Sequence, residues 1–402
     1  MKILQISAYY SGGGAEKVMR QLYNGYKNDK EIECFCMAGR AWPGTPAEVP
    51  QIYKGFIERA WTYLKGNLRY HTLYRSRKAK KEIIRFVKEH QIDLIHFHNL
   101  HGSYIGLKDL EDIRKVCPKI VITLHDMWCL TGVCPYSFEC IKWKQNGCGK
   151  CSGNGGDIKK APGAGKILNE KARIFDEKNM YFVTPSKWLF DCVKESHLRK
   201  ENIVLIHNGI DIHKYVCYEK EKIRKLYEIP QDKRVILFAA NGLNNPYKGF
   251  SYLKTALLSL KEKEKYVLLI VGNKEKEDLD LPFQIFDFGY ISDEKKMNQL
   301  YSAADLFILP SMADNLPFTA IESMASGTPV VAFETGGIPE ILDDAGWLVK
   351  RGDSIMMRKK IEEIFENPDL LRKKAEECRS YVEKNFLEQD MLHKYKKLYL
   401  SI

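Results

Sequence analysis

Pro310-Ser311-Met312-Ala313-Asp314-Asn315-Leu316-Pro317-Phe318-Thr319-Ala320-Ile321-Glu322-Ser323-Met324-Ala325-Ser326-Gly327-Thr328-Pro329-Val330-Val331 follows the apolar run Asp305-Leu306-Phe307-Ile308-Leu309. The segment reads strand, loop, helix, strand. A strand buried on both faces is a continuous apolar run, and Asp305 to Leu309 and Thr328 to Phe333 both fit. Asp314 falls in the loop at the carboxyl end of a strand, where ligands of open α/β sheets bind. Glu322 lies eight residues on, one to two turns into a short helix that ends at Gly327. Free N–H groups at the start of such a helix suit an anion or a pyrophosphate. A carboxylate beside them can accept both hydroxyls of a ribose.

The same alternation extends in both directions. Upstream, Ile3 to Ser7, Asp93 to His98, Ile120 to His125, Tyr181 to Thr184 and Ile203 to Ile206 read as strands with helical stretches between them. Arg234 to Ala240 and Tyr266 to Val271 continue the pattern after a charged stretch from Asp211 to Lys233. The expectation is an α/β chain of two domains, residues 1–210 and 211–402, with a cysteine-rich insertion at 129–151. From about Pro368 the chain is helical and charged, and its last helix is expected to pack back on the first domain. No short tandem repeat occurs.

A length of 402 residues suits two such domains, and 45% hydrophobic with 29% charged residues is ordinary for a globular protein. No apolar run approaches the roughly 18–20 residues of a membrane span. Met1 to Ser7 reads as a buried strand rather than a leader peptide, so the expected location is cytoplasmic. The net charge of +11 points either to an anionic partner or to a solvated basic surface. No zinc-finger, ribonucleoprotein or basic-zipper pattern accompanies it, which argues against nucleic acid.

The Pro310–Val331 segment resembles the donor-binding segment of the family 4 glycosyltransferases, which have the GT-B fold of two Rossmann-like domains facing across a cleft. Their pattern is an acidic residue, seven residues, a glutamate, a small-residue stretch and Gly-x-Pro-Val-Val. The resemblance implies that Asp314 contacts the donor sugar and Glu322 the ribose, with Asn315, Leu316 and Pro317 lining the donor site. The family's first acidic residue is usually Glu, and here it is the shorter Asp.

Other segments agree in order. Gly12-Gly13-Gly14-Ala15-Glu16 follows the first strand and opens a helix, resembling the family's glycine-rich loop, with Gly13 and Gly14 close to the donor. Taken alone, it is a common strand-to-helix turn. Asn208-Gly209-Ile210-Asp211 resembles the family's signature at the domain crossing, and by itself it is an ordinary turn. Lys248-Gly249 matches the lysine that neutralises the donor diphosphate, but the family's arginine five residues earlier is Leu243. His125, before Asp126 at a strand end, matches the histidine that contacts the donor sugar near the reacting carbon; the plainer reading is a capped strand-end histidine. His96, His98 and His101 sit at another strand end, in either an acceptor-facing or a structural role. Gly336-Gly337-Ile338-Pro339-Glu340 matches a further family segment and reads as architectural.

Of 11 cysteines, five fall between Cys129 and Cys151. Cys148-x-x-Cys151 can hold one edge of a metal, and Cys134 with Cys140 completes a tetrahedral set for a structural zinc ion. Reduced free thiols, or a disulfide in an oxidising compartment, are the alternatives. Between Ile52 and Val87, Phe56, Trp61, Tyr63, Tyr70 and Tyr74 mix with Arg75, Arg77, Lys78, Lys80 and Lys81, a composition that suits an anionic membrane surface. Ile83, Ile84, Phe86 and Val87 instead suit packing on a sheet.

The resemblance implies a glycosyltransferase that moves a hexose-like sugar from a nucleoside-diphosphate sugar to a glycan or lipid-linked acceptor. Retention of configuration and no cofactor for catalysis come with it. Surface polysaccharide or glycoconjugate synthesis is the expected setting, with peripheral association at the inner membrane face. A nucleotide-sugar epimerase and a non-catalytic nucleotide-sugar sensor are the rivals. The epimerase would need no acceptor, and the sensor would bind without turnover.

Overall fold

The computed structural model describes residues 1–40, 44–55, 75–145, 147–151, 161, 163–198, 202–273 and 281–402. These form two units, Met1–His207 with Met391–Ile402, and Asn208–Asp390. The contact boundary falls at His207, three residues before the position read from sequence.

Unit 1 is built on β1 (Lys2–Ser7), β2 (Glu33–Arg40), β3 (Gln51–Tyr53), β4 (Leu94–His98), β5 (Lys119–Thr123), β6 (Met180–Thr184) and β7 (Ile203–Leu205). Their order is β3-β2-β1-β4-β5-β6-β7, with every pair parallel. The order reverses between β1 and β4, the switch point at which such sheets open a crevice. The apolar strand residues, among them Leu4, Ile6, Ile95, Phe97, Ile120 and Ile122, are fully or almost fully buried and form one core. The helix Arg77–His90 shows how the flanking helices are set. Ser76 Oγ accepts from Ala79 N at 3.2 Å to cap its start, and Gln91 ends it in the left-handed region. Ala79, Ile83 and Val87, spaced four apart, are buried, while Ile84 and Phe86 pack partly buried against the same core.

The end of the helix Glu388–Ser401 belongs to this unit. Tyr395 and Tyr399 lie four residues apart on one face and are buried, and Lys396 pairs with Asp29 and Glu31, each at 2.7 Å.

Unit 2 repeats the plan with β8 (Arg234–Ala239), β9 (Tyr266–Val271), β10 (Gln284–Asp287), β11 (Leu306–Leu309), β12 (Val330–Glu334) and β13 (Trp347–Lys350). The order is β10-β9-β8-β11-β12-β13, again parallel throughout, with the switch between β8 and β11. β9 and β11 are buried along their whole lengths, whereas edge strand β10 is half-exposed with exposed ends. Asn208 to Ile210 is bound to the chain after the helix Pro368–Asn385. Ile210 N donates to Phe386 O and Glu388 N to Ile210 O, both at 2.9 Å. A Cβ on Gly209 would stand 2.4 Å from Leu387 O, so the glycine permits this close pairing.

No helix among the described residues is long and apolar enough to cross a membrane.

Candidate active site

In unit 2, the loops that leave the two switch-point strands are laced together. After β8, Asn245 Oδ1 accepts from Tyr247 N and starts a single 3-10 turn that carries Lys248. Gly249 closes the turn at φ +66°, and a Cβ there would lie 1.9 Å from Pro310 O. Met312 N donates to Tyr247 O at 2.8 Å, which ties the loop after β11 to the loop after β8. The result is an ion pair between Lys248 Nζ and Asp314 Oδ2 at 2.7 Å, with Ser311 Oγ donating to the same carboxylate oxygen at 3.3 Å. Lys248 stays partly open to solvent and Asp314 much less so. Gly336-Gly337 backs this loop: a Cβ on Gly336 would sit 1.7 Å from Asp314 O, and Gly337 N donates to Asn315 O at 2.9 Å. The glycine pair is therefore part of what shapes the Asp314 loop.

The helix Phe318–Ala325 starts behind Pro317 and presents Glu322 from its second turn. Glu322 is 9% exposed, and Tyr301 Oη donates to its Oε2 at 3.2 Å. Tyr215 hydrogen-bonds to it as well. Burial, and then the Glu322 charge, push both phenols up, so they remain neutral donors that fix the carboxylate. Asn208 Nδ2 donates to Leu316 O at 3.2 Å, so the sequence motif at the domain crossing anchors the loop between Asp314 and Glu322. Asn315 and Leu316 are each 4% exposed, and their carbonyls are engaged by Gly337 and Asn208. They support the loop from within. Leu243, at the position where the family carries arginine, is buried in the apolar core of unit 2, so that position brings no positive charge.

In unit 1, Gly12, Gly13 and Gly14 are exposed at the start of the helix Gly14–Gly25. Glu16, in the first helical turn, is 5% exposed, and Oε1 accepts from Ser7 Oγ at 3.1 Å and Asn99 Nδ2 at 3.2 Å. Ser7 ends β1 and Asn99 follows β4, so this carboxylate sits at the switch point and at a helix start, which favours negative charge. His125 lies just beyond β5, and its Nε2 is 3.0 Å from His98 Nδ1. Burial and nearby His101 push His125 down to about 3, so it is neutral at physiological pH. His96 and His98 are wholly buried and cannot meet an acceptor from solution. His101 is more open and lies 3.3 Å from Asp126.

Both domains match family models. Residues 219–385 match the model described as Glycosyl transferases group 1, and residues 12–214, about half the chain, match Glycosyltransferase Family 4. The chain belongs to the family 4 glycosyltransferases. WcaC of Escherichia coli (strain K12), a glycosyl transferase named for colanic acid biosynthesis, is 25% identical over 270 residues, which span 63% of this chain and 62% of WcaC. Sucrose-phosphate synthase from Thermosynechococcus elongatus shares the fold at a TM-score of 0.77 and 18% identity, over 100% of this chain and 98% of that one. Anabaena Alr3699/HepE, solved in complex with UDP-glucose, shares it at 0.70 and 17% identity, over 100% of both chains. The fold is thus GT-B, as the resemblance implied.

Within this family 4 transferase, the cysteine loop has a firm anchor. Lys171, wholly buried on the helix Ala164–Phe175, donates from Nζ to the carbonyls of Trp128, Thr131 and Gly132 at 2.5, 2.9 and 3.0 Å. Its ammonium lies 3.5 Å from the centre of the Trp128 ring. Gly132 N then donates to Cys148 Sγ at 3.3 Å. Cys134, Cys140, Cys148 and Cys151 are unpaired and close enough that charge on one raises the Cys134 thiol pKa, after burial, the larger cause. Among the described residues, no three His, Cys, Asp or Glu side chains stand ready-made around a metal.

Of the basic stretch, Phe56, Trp61, Tyr63, Tyr70 and Tyr74 lie outside the described residues. Arg75 and Lys80 pair with Asp112 at 2.9 and 2.8 Å.

Proposed function

We propose that this transferase moves a hexose-like sugar from a nucleoside-diphosphate sugar to a glycan or lipid-linked acceptor, with retention, in polysaccharide or glycoconjugate assembly. One observation carries the reading: a lysine held by an aspartate, beside a glutamate fixed by tyrosine, on loops laced together at the carboxyl ends of the switch-point strands. Lys248 offers a cation to a diphosphate, Asp314 a carboxylate to the sugar hydroxyls, and Glu322 a rigid acceptor to the ribose. As the bond from the anomeric carbon to the phosphate oxygen breaks, negative charge grows on the diphosphate. Lys248 and the N–H groups at the start of the helix Phe318–Ala325 stabilise it. The acceptor oxygen then attacks from the face the diphosphate leaves, and its proton passes to a phosphate oxygen. On this reading catalysis needs no metal. The UDP-glucose bound to HepE supports the donor class, and the name of WcaC supports the setting.

The test is nucleoside-diphosphate release from a panel of sugar nucleotides without added divalent metal. Slow release from one donor, faster with an acceptor, is expected. An acceptor-independent change of the sugar would instead mark an epimerase, and tight binding without any turnover a sensor.

Peripheral membrane association is part of the proposal, supported by the basic residues of the helix Arg77–His90 that remain exposed, such as Arg77 and Lys81. Flotation with anionic liposomes but not neutral ones is expected. Equal recovery from both would remove it.

The cysteine loop is proposed to close on one structural zinc ion. Four thiols suit zinc, an N–H already faces Cys148 Sγ, and a metal would offset the entropy of ordering a glycine-rich loop. Purified protein should carry about one zinc per chain, lost together in Cys148→Ser and Cys151→Ser. Metal-free protein with all four thiols open to a thiol reagent would defeat this assignment.

A further inference from the structure

The protons of the buried network beneath His125 can be assigned one after another, starting at Gln5. This side chain, on β1, is wholly buried. Its Nε2 donates to Tyr399 Oη at 3.1 Å. The Oε1 atom faces His98 Nε2 at 3.0 Å. An amide nitrogen donates and an amide oxygen accepts, so this placement engages both ends of the side chain.

An amide oxygen only accepts, so His98 Nε2 carries a proton. His98 is buried and neutral, and a neutral imidazole has a single N–H, so its Nδ1 is an acceptor. The atom facing that Nδ1 at 3.0 Å is His125 Nε2, which must therefore donate. The other branch closes the network. His96 Nδ1 lies 2.7 Å from Tyr399 Oη, His96 Nε2 lies 2.8 Å from Thr123 Oγ1, and Thr123 Oγ1 meets Tyr395 Oη at 2.8 Å.

We propose that Gln5, His98 and Tyr399 are positioning residues that lock His125 as the neutral tautomer protonated on Nε2, with the lone pair on Nδ1. Any hydrogen bond from His125 to a donor-sugar hydroxyl then uses Nδ1 as acceptor. The ring also stays uncharged beside a carbon that gains positive charge as the leaving group departs. An imidazolium there would oppose the reaction. The functional half rests on the contact with the donor sugar that the family resemblance implies for His125, whereas the tautomer itself rests on the network alone. Tyr399, on the helix Glu388–Ser401, accepts the hydrogen bond from Gln5 Nε2.

The experiment is ring-nitrogen NMR of the full chain labelled with 15N-histidine at pH 7, with His125 assigned by the loss of its signals in His125→Asn. The expected spectrum shows His125 protonated on Nε2 and bare on Nδ1. Gln5→Leu removes the acceptor for His98 and should mix the His98 and His125 tautomers. In Gln5→Glu the acid is kept protonated by burial, so one oxygen accepts and the other donates, and the wild-type pattern should return. Turnover should fall about tenfold in Gln5→Leu, with the donor KM within about twofold, and recover in Gln5→Glu. A wild-type His125 protonated on Nδ1 overturns the lock, and this result needs no variant to fold. An unchanged tautomer pattern in Gln5→Leu overturns the part assigned to Gln5. Full turnover in His125→Asn, with the predicted wild-type spectrum, overturns the donor contact and leaves the lock standing.

Discussion

Lowering the pH from 7 to 5 is expected to strip unit 1 of stability, at up to about 5 kcal/mol per pH unit where the loss is steepest. Burial pushes His96 and His98 well below the ordinary imidazole range, His125 down to about 3 and His197 down to about 4. In the unfolded chain each takes a proton near pH 6.5. Between that value and the folded pKa values, the unfolded state binds up to four more protons than the native state. Stability rises with pH wherever the unfolded state binds more protons, so this contribution is fully present above about pH 6.5 and is lost as the pH falls below it. Each proton is worth about 1.4 kcal/mol per pH unit. A domain has about 5–15 kcal/mol in all, so one to three pH units exhaust it. Carboxylates contribute mainly below this window, because their ordinary midpoints lie at about 3.9–4.3. Unit 2 contains a single histidine, His213, and it is exposed. Hydrogen exchange at pH 7 and pH 5 should therefore show protection falling across β1, β4 and β5 while β8, β9 and β11 keep theirs. Equal protection of β4 at both values would mean that the native state accepts these protons, and the buried network would then be wrong.

How far the fold could be read from sequence follows burial. β1, β4, β5, β6, β8, β9, β11 and β12 were legible because a strand covered on both faces is mostly apolar, with Gln5 in β1 and the histidines in β4 as the buried polar exceptions. β2 runs Glu33-Cys34-Phe35-Cys36-Met37-Ala38-Gly39-Arg40, with exposed Glu33 at one end and buried Arg40 held by Ser103 O at 2.8 Å at the other. Such a mixture announces no strand. β3 is three residues long, β10 has exposed ends and β13 ends on exposed Lys350, so these three edge strands leave too short or too polar a trace, whereas edge strand β7 was legible from the apolar run Ile203-Val204-Leu205-Ile206. Their places are fixed by pairing to the strand inside, which no local pattern records.

The site divides in the same way. Asp314 and Glu322 were legible because one strand–loop–helix unit sets their spacing, and Lys248 because it stands in a glycine turn after a strand. Their partners were not. Tyr301 reaches Glu322 from a different helix, Glu294–Ala303, and Tyr215 from the loop before unit 2's first strand. Tyrosines on the buried side of a helix look like any core aromatic. The chain from Gln5 to Tyr399 spans 394 residues, and only the return of the last helix to unit 1 brings its ends together. Leu243 illustrates the opposite limit. The sequence revealed the missing arginine, and the fold explains why a cation is excluded, since that position points into the core.

Replacing Glu322 by alanine is expected to weaken binding of the matching nucleoside diphosphate by roughly 100-fold. A hydrogen bond to a charged group is worth about 1.5–3 kcal/mol, and two ribose hydroxyls on one fixed carboxylate at the low end of that range, about 3 kcal/mol together, set this figure. The carboxylate is fixed before the ligand arrives, because Tyr301 and Tyr215 donate to it from buried positions, so little ordering cost is left for binding. The same tyrosines complicate the variant. Without Glu322 their hydroxyls lose an acceptor, which costs stability by about 1–3 kcal/mol. Glu322→Gln separates the two effects. It keeps an acceptor oxygen for one hydroxyl, should restore most of the melting temperature, and should recover only part of the affinity, because the charge is gone. Tyr301→Phe approaches from the other side: the carboxylate keeps its charge but loses a restraint, and affinity should fall by less than in Glu322→Ala. Calorimetric titration of the four proteins with the nucleoside diphosphate orders them as wild type, Tyr301→Phe, Glu322→Gln, Glu322→Ala. A Glu322→Ala protein that melts early but binds within twofold of wild type would mean that the carboxylate serves only the tyrosines, and the ribose would have to be held elsewhere.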